Sequence, residues 1–397
     1  MIRVGFIITL SDGWIGGANY FRSLFSAVYE FQDRKIIAIV FTGYKSPTNQ
    51  FENFSIEKVV RSRLLDRGSI PWVIRKLWLR IFNHDLFLEL LLKKYDVSVL
   101  SHSGWLGKKA SIPTIGWIPD FQHVHLPELF DANEIVIRDR NFKMLCKYCT
   151  KMIVSSDDAY TDLIRIYPDC KSKTKILKFV VSQYNIQTKL PSRDELEIRY
   201  KFTGNYFLLP NQFWRHKNHR VVIEALSLLN NESKKILVLA TGNTEDYRSP
   251  KFFSLLMDLA NKLKVLDNFR PLGLVPADDL AALMRYATAI INPSSFEGWS
   301  TSVEEAKSLG KRIILSDIAV HREQDPPRAH FFPFDNAGAL GVTLWNEWCS
   351  PIQDENLALE SAFLATNERR IKFAKKYQKI VMSVFDELHV GNISNDN

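Results

Sequence analysis

The chain has 397 residues, 46% apolar and 24% charged. That is too long for one ordinary core and points to two domains of a globular protein. The formal net charge of +8 and an isoelectric point near 9.1 call for an anionic partner, whether nucleic acid, a membrane surface or a phosphorylated ligand. No run of about eighteen apolar residues is present, which excludes a spanning helix. Cys146, Cys149, Cys170 and Cys349 are too few for a disulfide framework, and a lone CxxC lacks the second pair of a zinc site, so no metal is expected.

In chain order, "MIRVGFIITL" reads as a first strand rather than a signal peptide, with a cytoplasmic location as the consequence. Strands are predicted at Val4–Thr9, Ile36–Phe41, Val97–Ser101, Thr114–Trp117 and Lys151–Ser155, with helices such as Asn19–Phe31 and Leu86–Lys94 between them. The period fades over Val180–Arg199, where Pro191 and polar residues mark a linker. A second set follows. Its strands are Tyr206–Leu209, Lys235–Ala240, Phe269–Leu272, Ala289–Asn292 and Arg312–Ser316. Its helices are His219–Leu229, Phe252–Lys264, Ala277–Tyr286, Ser302–Leu309 and Asn367–Leu388. Such alternation predicts α/β architecture with parallel sheets. The domains are expected at 1–190 and 200–365, with a C-terminal helix and tail at 366–397. Ligands of such sheets bind beyond the carboxyl ends of the strands.

Two segments fall there. In "FEGWSTSVEEA" (296–306), Pro293 ends a strand, Gly298 permits a turn, and a helix opens near Ser300–Ser302. The free amides and positive dipole of that helix start suit a diphosphate. Ser302 and Glu305 also read as an S-x-x-E capping box. Glu297 has no such structural use, since a carboxylate behind a buried strand loses hydration. In "NQFWRHKN" (211–218), Lys217 and Arg215 are cations directly after a strand, suited to phosphate.

The first segment resembles the E-x7-E signature of GT4-type retaining glycosyltransferases (glycosyl transferases group 1), which have the GT-B fold. Glu297, Gly298, Trp299, Val303, Glu305, Ala306, Gly310 and Ser316 stand at matching places. Ser300 replaces a family glycine and Thr301-Ser302 a Leu-Pro. The resemblance implies that Glu297 contacts the transferred sugar and that Glu305 holds the ribose. It also implies that amides of Ser300–Val303 hold the diphosphate. The second segment is similar to the family's G-R-x4-K-N run: Lys217 and Asn218 match, while Asn211-Gln212 replace Gly-Arg, so Arg215 is the expected substitute cation. The fold implied is two Rossmann-like doubly wound domains facing across a cleft, with the C-terminal helix returning to the N-terminal domain.

The N-terminal half resembles the family more loosely. Gly16 and Gly17 in "SDGWIGGANYFRSLF" precede a helix, as in the family loop that approaches the diphosphate. In "PTIGWIPDFQHVHLPELF" (113–130), Asp120 and His123 fall where the family keeps a His near the reacting sugar. Residues 61–96 interleave Trp72, Leu77, Trp78, Ile81 and Phe82 with Arg75, Lys76 and Arg80. That pattern fits an interfacial helix on an anionic membrane, or a domain helix with a basic face in water.

The function implied is retaining, metal-independent transfer of a sugar from a nucleotide-sugar, which is a substrate, so no cofactor is expected. The acceptor is a glycan or glycolipid of cell-surface polysaccharide. A sugar-nucleotide epimerase of the same fold is the alternative. A nucleic-acid-binding protein is disfavoured, because no base-stacking motif accompanies the basic charge.

Overall fold

The computed structural model describes residues 1–9, 15–47, 51–52, 54–181, 190–350 and 355–393. In chain order the elements are β1 (Ile2–Ile7), α1 (Ile15–Glu30), β2 (Ile36–Thr42), β3 (Lys58–Arg61), α2 (Ile70–Phe82), α3 (Leu86–Lys94), β4 (Val99–Ser101), β5 (Thr114–Ile118), α4 (Gln122–His125), α5 (Ala132–Tyr148), β6 (Lys151–Val154), α6 (Asp157–Ile166) and β7 (Thr174–Ile176). Then follow α7 (Arg193–Tyr200), β8 (Phe207–Leu209), α8 (His219–Asn231), β9 (Val238–Thr241), α9 (Phe252–Lys262), β10 (Phe269–Gly273), α10 (Ala277–Tyr286), β11 (Ile290–Asn292), α11 (Thr301–Ser308), β12 (Ile313–Ser316), α12 (Ala319–Gln324), β13 (Ala329–Phe332), α13 (Ala337–Cys349) and α14 (Glu355–Ile393). The central part of the expected linker, 182–189, lies outside the described residues.

The chain forms two compact units. The first comprises Met1–Phe121, Ala132–Ser182 and Arg369–Asn397, so the C-terminal part of α14 groups with it. Tyr377 on α14 donates to Ser101 Oγ (2.9 Å), and Arg370 pairs with Glu30 (2.9 Å). The second comprises Gln122–Asp131 and Gln183–Glu368.

Unit 1 holds a seven-stranded sheet in the order β3-β2-β1-β4-β5-β6-β7, and unit 2 a six-stranded sheet in the order β10-β9-β8-β11-β12-β13. All the strand pairs are parallel. The short strands of unit 2 are buried on both faces, as helix-covered parallel strands must be: Phe207–Leu209 and Ile290–Asn292 are wholly buried. Alternate residues feed two cores. Phe207, Leu209, Ala240 and Ile291 pack towards α8, α9 and α13. Leu208, Leu239, Ile290 and Leu315 pack with Val303 and Ala306 of α11 and Leu283 of α10. Strand order reverses between β1 and β4 and between β8 and β11, and those reversals are where such sheets open a ligand crevice. The buried Cys146, Cys149 and Cys170 of the expected reduced set sit in the core of unit 1.

Candidate active site

The loops after β8 and β11 meet at the switch point of unit 2. Two asparagines tie them together: Asn211, two residues past β8, donates to Asn292 Oδ1 at the end of β11 (3.0 Å). Asn292 Nδ2 in turn donates to Ser300 Oγ (2.8 Å) and Ser302 Oγ (3.2 Å), and Ser302 Oγ donates to Asn211 Oδ1 (3.3 Å). All four side chains are buried. A buried network with its members satisfied holds one geometry. The loop after β9 presses on the same place. Gly242 has φ +141°, and a Cβ there would lie 2.5 Å from the Asn211 carbonyl oxygen, so only glycine fits.

This frame places Lys217 and Glu297. Lys217 closes a single 3-10 turn, Arg215–Lys217, followed by Asn218 in the left-handed region. The Asn218 side chain donates to the carbonyls of Pro293 (3.1 Å) and Phe334 (2.7 Å), which staples the turn to the end of β11. Lys217 Nζ meets Glu297 Oε1 at 2.6 Å. Ser294 Oγ lies 2.7 Å from the same oxygen and 2.7 Å from Asn292 Oδ1. Its single proton serves both, with the ionised carboxylate the stronger acceptor. Glu297 Oε2 has no bond among the described residues.

Glu297 is only 9% exposed. Burial alone would push its carboxyl up. The Lys217 ammonium, with His216 and His321 behind it, outweighs that and holds it down at about 2. At neutral pH the histidines add no charge. Burial takes His216 to about 3, helped by Lys217 and Arg248, and burial lowers His321 as well. The carboxylate therefore faces one cation across 2.6 Å, and that lysine keeps N–H donors to spare.

Helix α11 opens beside this pair. Its N-cap is Ser300, whose side chain makes no cap bond, so the expected Ser302 capping box is not formed. The hydroxyls of Ser300 and Ser302 are spent on the asparagine network instead. Gln324 does part of the capping: its Oε1 accepts from Ser300 N–H (3.2 Å) and its Nε2 donates to the Ser300 carbonyl (3.0 Å). The first intrahelical bond runs from Glu304 N–H to the Ser300 carbonyl (3.2 Å). The amides of Thr301, Ser302 and Val303 precede it, and they form the anion-attracting end of the helix. Val303's side chain is core. Gly298 and Trp299 are half-buried on the connecting turn, Thr301 is half-buried at the start of α11, and Glu305 is half-buried one turn in.

Other expected residues lie elsewhere. Arg215 is exposed at the start of the 3-10 turn. Gln212 is half-buried, and its Oε1 is buried without a partner. Asp120 follows β5 in unit 1, half-buried, whereas His123 belongs to unit 2, where it is 2% exposed with its ring edge against Phe130. The neighbouring His125 is the histidine whose ring lies 5.3 Å from Phe296, next to Glu297. Gly16 and Gly17 sit inside the first turn of α1 rather than ahead of it.

Two groups escape a reading of the sequence. Arg248, on the loop after β9, is buried between the rings of Trp214 (5.2 Å) and Phe130 (5.1 Å) and donates to Gln122 (3.1 Å), bringing a second cation near His216. His102 directly follows β4, at the switch point of unit 1. It holds φ +52°, strained for a histidine. Its ring is fixed by Tyr20 (2.6 Å) and Ser101 (2.8 Å). Strand-end position was the available signal for His102; Arg248, seven residues past β9, carries none.

Unit 2 thus sets a lysine–glutamate pair beside a helix start at its switch point, an arrangement suited to an anionic ligand. The family described as Glycosyl transferases group 1 matches residues 193–325. That segment is similar to the group 1 glycosyltransferases, and the fold of the chain is the GT-B fold. The O-antigen chain mannosyltransferase RfbU of Salmonella typhimurium is 23% identical over 282 residues, covering 70% of this chain and 73% of the relative. A glycosyltransferase from Rickettsia africae aligns with TM-score 0.67 at 15% identity, over 98% of each chain. The Anabaena protein Alr3699/HepE, solved with UDP and glucose, aligns with TM-score 0.69 at 13% identity, over 96% of this chain and all of the other.

Proposed function

We propose that the protein is a retaining, metal-independent glycosyltransferase. It moves a sugar from a nucleotide-sugar to a lipid-linked glycan in cell-surface polysaccharide assembly, at the inner face of the membrane. The observation that carries this reading is the Lys217–Glu297 pair at 2.6 Å beside the first amides of α11.

In this reading the donor diphosphate lies on the amides of Thr301–Val303, with Lys217 donating to a phosphate oxygen. Gln212 and Arg215 reach it from the same loop. Glu297 Oε2 accepts from a sugar hydroxyl, and Glu305 accepts from the ribose. The anomeric carbon–phosphate oxygen bond breaks while the acceptor oxygen bonds to the same face. The acceptor's proton passes to the departing phosphate, so no protein nucleophile is needed. Asp120 stands in the acceptor half, whereas His123 belongs to the donor half. Preorganised donors aimed at the leaving diphosphate supply the charge stabilisation a metal would otherwise give. Kinship with an O-antigen chain mannosyltransferase supports the polysaccharide acceptor.

The test is a thermal-shift screen against UDP-, GDP-, dTDP- and ADP-sugars, followed by mass analysis of products. A donor at about a hundred times its Kd stabilises by about 2.7 kcal/mol. Chelator should leave turnover intact. Indifference to every donor would overturn the reading.

A further inference from the structure

Unit 2 also carries a cavity, of about 280 Å³, at the opposite ends of the strands from Lys217 and Glu297. Its wall contains Thr288, just ahead of β11, and Lys311 and Arg312, just ahead of β12. Four cations line it, Arg193, Arg285, Lys311 and Arg312, against one carboxylate, Glu355. Trp348 and Tyr286 give it an aromatic side.

The charges here are only partly answered. Lys311 is 5% exposed; its Nζ donates to Glu355 (2.8 Å) and to the Arg285 carbonyl (3.0 Å). Glu355 is shared with Arg328 (3.4 Å). Arg312 is 7% exposed and pairs through one terminal nitrogen with Glu347 (2.9 Å), but its Nε is buried with no partner. Arg193 is turned to Glu197 (3.0 Å) and the Gly204 carbonyl (2.7 Å). Arg285, exposed at the rim, makes no ion pair among the described residues. With Arg285 unpaired among the described residues and Arg312 and Lys311 beside it, the cations around this cavity match an anion with several acceptor oxygens.

We infer that this cavity is a second ligand site, distinct from the donor site, which binds a small phosphate monoester. The phosphate sits between the Arg312 and Arg285 guanidinium groups, and the ester's body lies against Trp348. Such a site lets a phosphorylated metabolite act on the enzyme without competing for the donor loops.

Hydrogen–deuterium exchange of the full chain tests it, with inorganic phosphate, glucose 6-phosphate and glucose as probes. The expected result is saturable protection of residues 285–288, 311–312 and 348–350 by both phosphates and none by glucose. Stronger protection by glucose 6-phosphate than by inorganic phosphate is the expected sign that the ester's body is held. Arg285→Ala, at the exposed rim, should weaken binding by about tenfold or more, the usual loss for a charge-assisted bond. Lys217→Ala, which disables the donor loop, should leave it unchanged. No saturable protection, protection confined to residues 212–218 and 297–303, or equal affinity in Arg285→Ala would each overturn the site. None of these outcomes bears on the donor chemistry, which the nucleotide-sugar screen reads separately.

Discussion

At the scale of residues, the Lys217–Glu297 pair decides what the site can do. If Glu297 holds the sugar, Glu297→Ala should lower kcat by about a hundredfold or more, the usual loss for a preorganised transition-state contact. Tm should fall as well, because Lys217 loses its buried partner, so activity is read at a temperature where the variant is folded; a folded variant with full activity would remove Glu297 from the chemistry. The pair also sets a pH dependence. The Glu297 carboxyl is held at about 2, below the ordinary glutamate value of about 4.3. Its contribution to stability is thus complete above about 4.3 and lost as pH falls towards 2. Lys217→Met removes the cation but not the burial, so the carboxyl should rise above its ordinary value. The variant should lose about 3–5 kcal/mol at pH 7 and recover part of it as the pH falls and the carboxyl takes a proton. Tm measured from pH 4 to pH 8 reads this; a deficit that does not shrink in acid would mean that Lys217 matters only for packing. Arg215 is a separate question, because Arg248 is already enclosed by Trp214 and Phe130. As the replacement cation, Arg215→Ala should raise donor Kd by about tenfold through a lost charge-assisted bond. An unchanged Kd would pass that role to another group.

At the scale of elements, two glycines separate site from scaffold. Gly242 holds φ +141° under the Asn211 carbonyl, and Gly310 holds φ +63° under the Ala358 carbonyl at the far end of the sheet. Alanine at either should cost about 1–3 kcal/mol in backbone strain. Gly242→Ala should in addition raise donor KM, since its Cβ pushes on the loop that carries Lys217, whereas Gly310→Ala should leave KM alone. Equal KM in the two variants would show that the β9 loop does not position the donor loop. The same contrast explains what could be read from the chain. Central strands such as β8, β11 and β12 announce themselves as apolar runs, because both faces are covered. The edge strands β3, β7 and β13 were not apparent: Lys58–Arg61 and Thr174–Ile176 are short and partly exposed, and only pairing with a neighbour makes them strands. Glu297 and Lys217 were legible because their chemistry is unusual at strand ends. The Asn211–Asn292 bond was not, because its partners lie 81 residues apart and each asparagine alone looks like a turn residue. Ser302 looked like a cap for the same reason. Only the folded loops show Asn292 taking its hydroxyl and Gln324 taking over the cap.

At the scale of the whole molecule, the basic charge and the open face of α2 belong to one argument. The helix is well formed, with Ser69 accepting from Trp72 N–H (3.2 Å) at its start. Yet it leaves Ile70 (77%), Ile74 (49%), Leu77 (54%) and Ile81 (68%) exposed in a row, with Phe82 beside them. A contiguous apolar strip of this kind on a folded unit marks a contact surface. Lys76 and Arg80 are exposed with it. Arg75, expected on the same basic face, is instead buried in a bidentate bond to Asp85 (2.8 to 3.0 Å) and serves the fold. No helix among the described residues is long and apolar enough to cross a membrane. An apolar strip flanked by lysine and arginine suits the interface of an anionic bilayer, where the lipid-linked acceptor of the proposed function would be met. The triple variant Ile74→Ser, Leu77→Ser, Ile81→Ser changes only exposed side chains, so Tm should hold. Flotation with phosphatidylglycerol vesicles should fall by about tenfold or more. Transfer to a lipid-linked acceptor should fall with it, while transfer to a short soluble acceptor persists. Wild-type binding should weaken with salt, as attraction to an anionic surface does. If the variant floats as the wild type does but loses a dimer on sizing, the strip covers a second copy of the chain and the membrane reading is wrong.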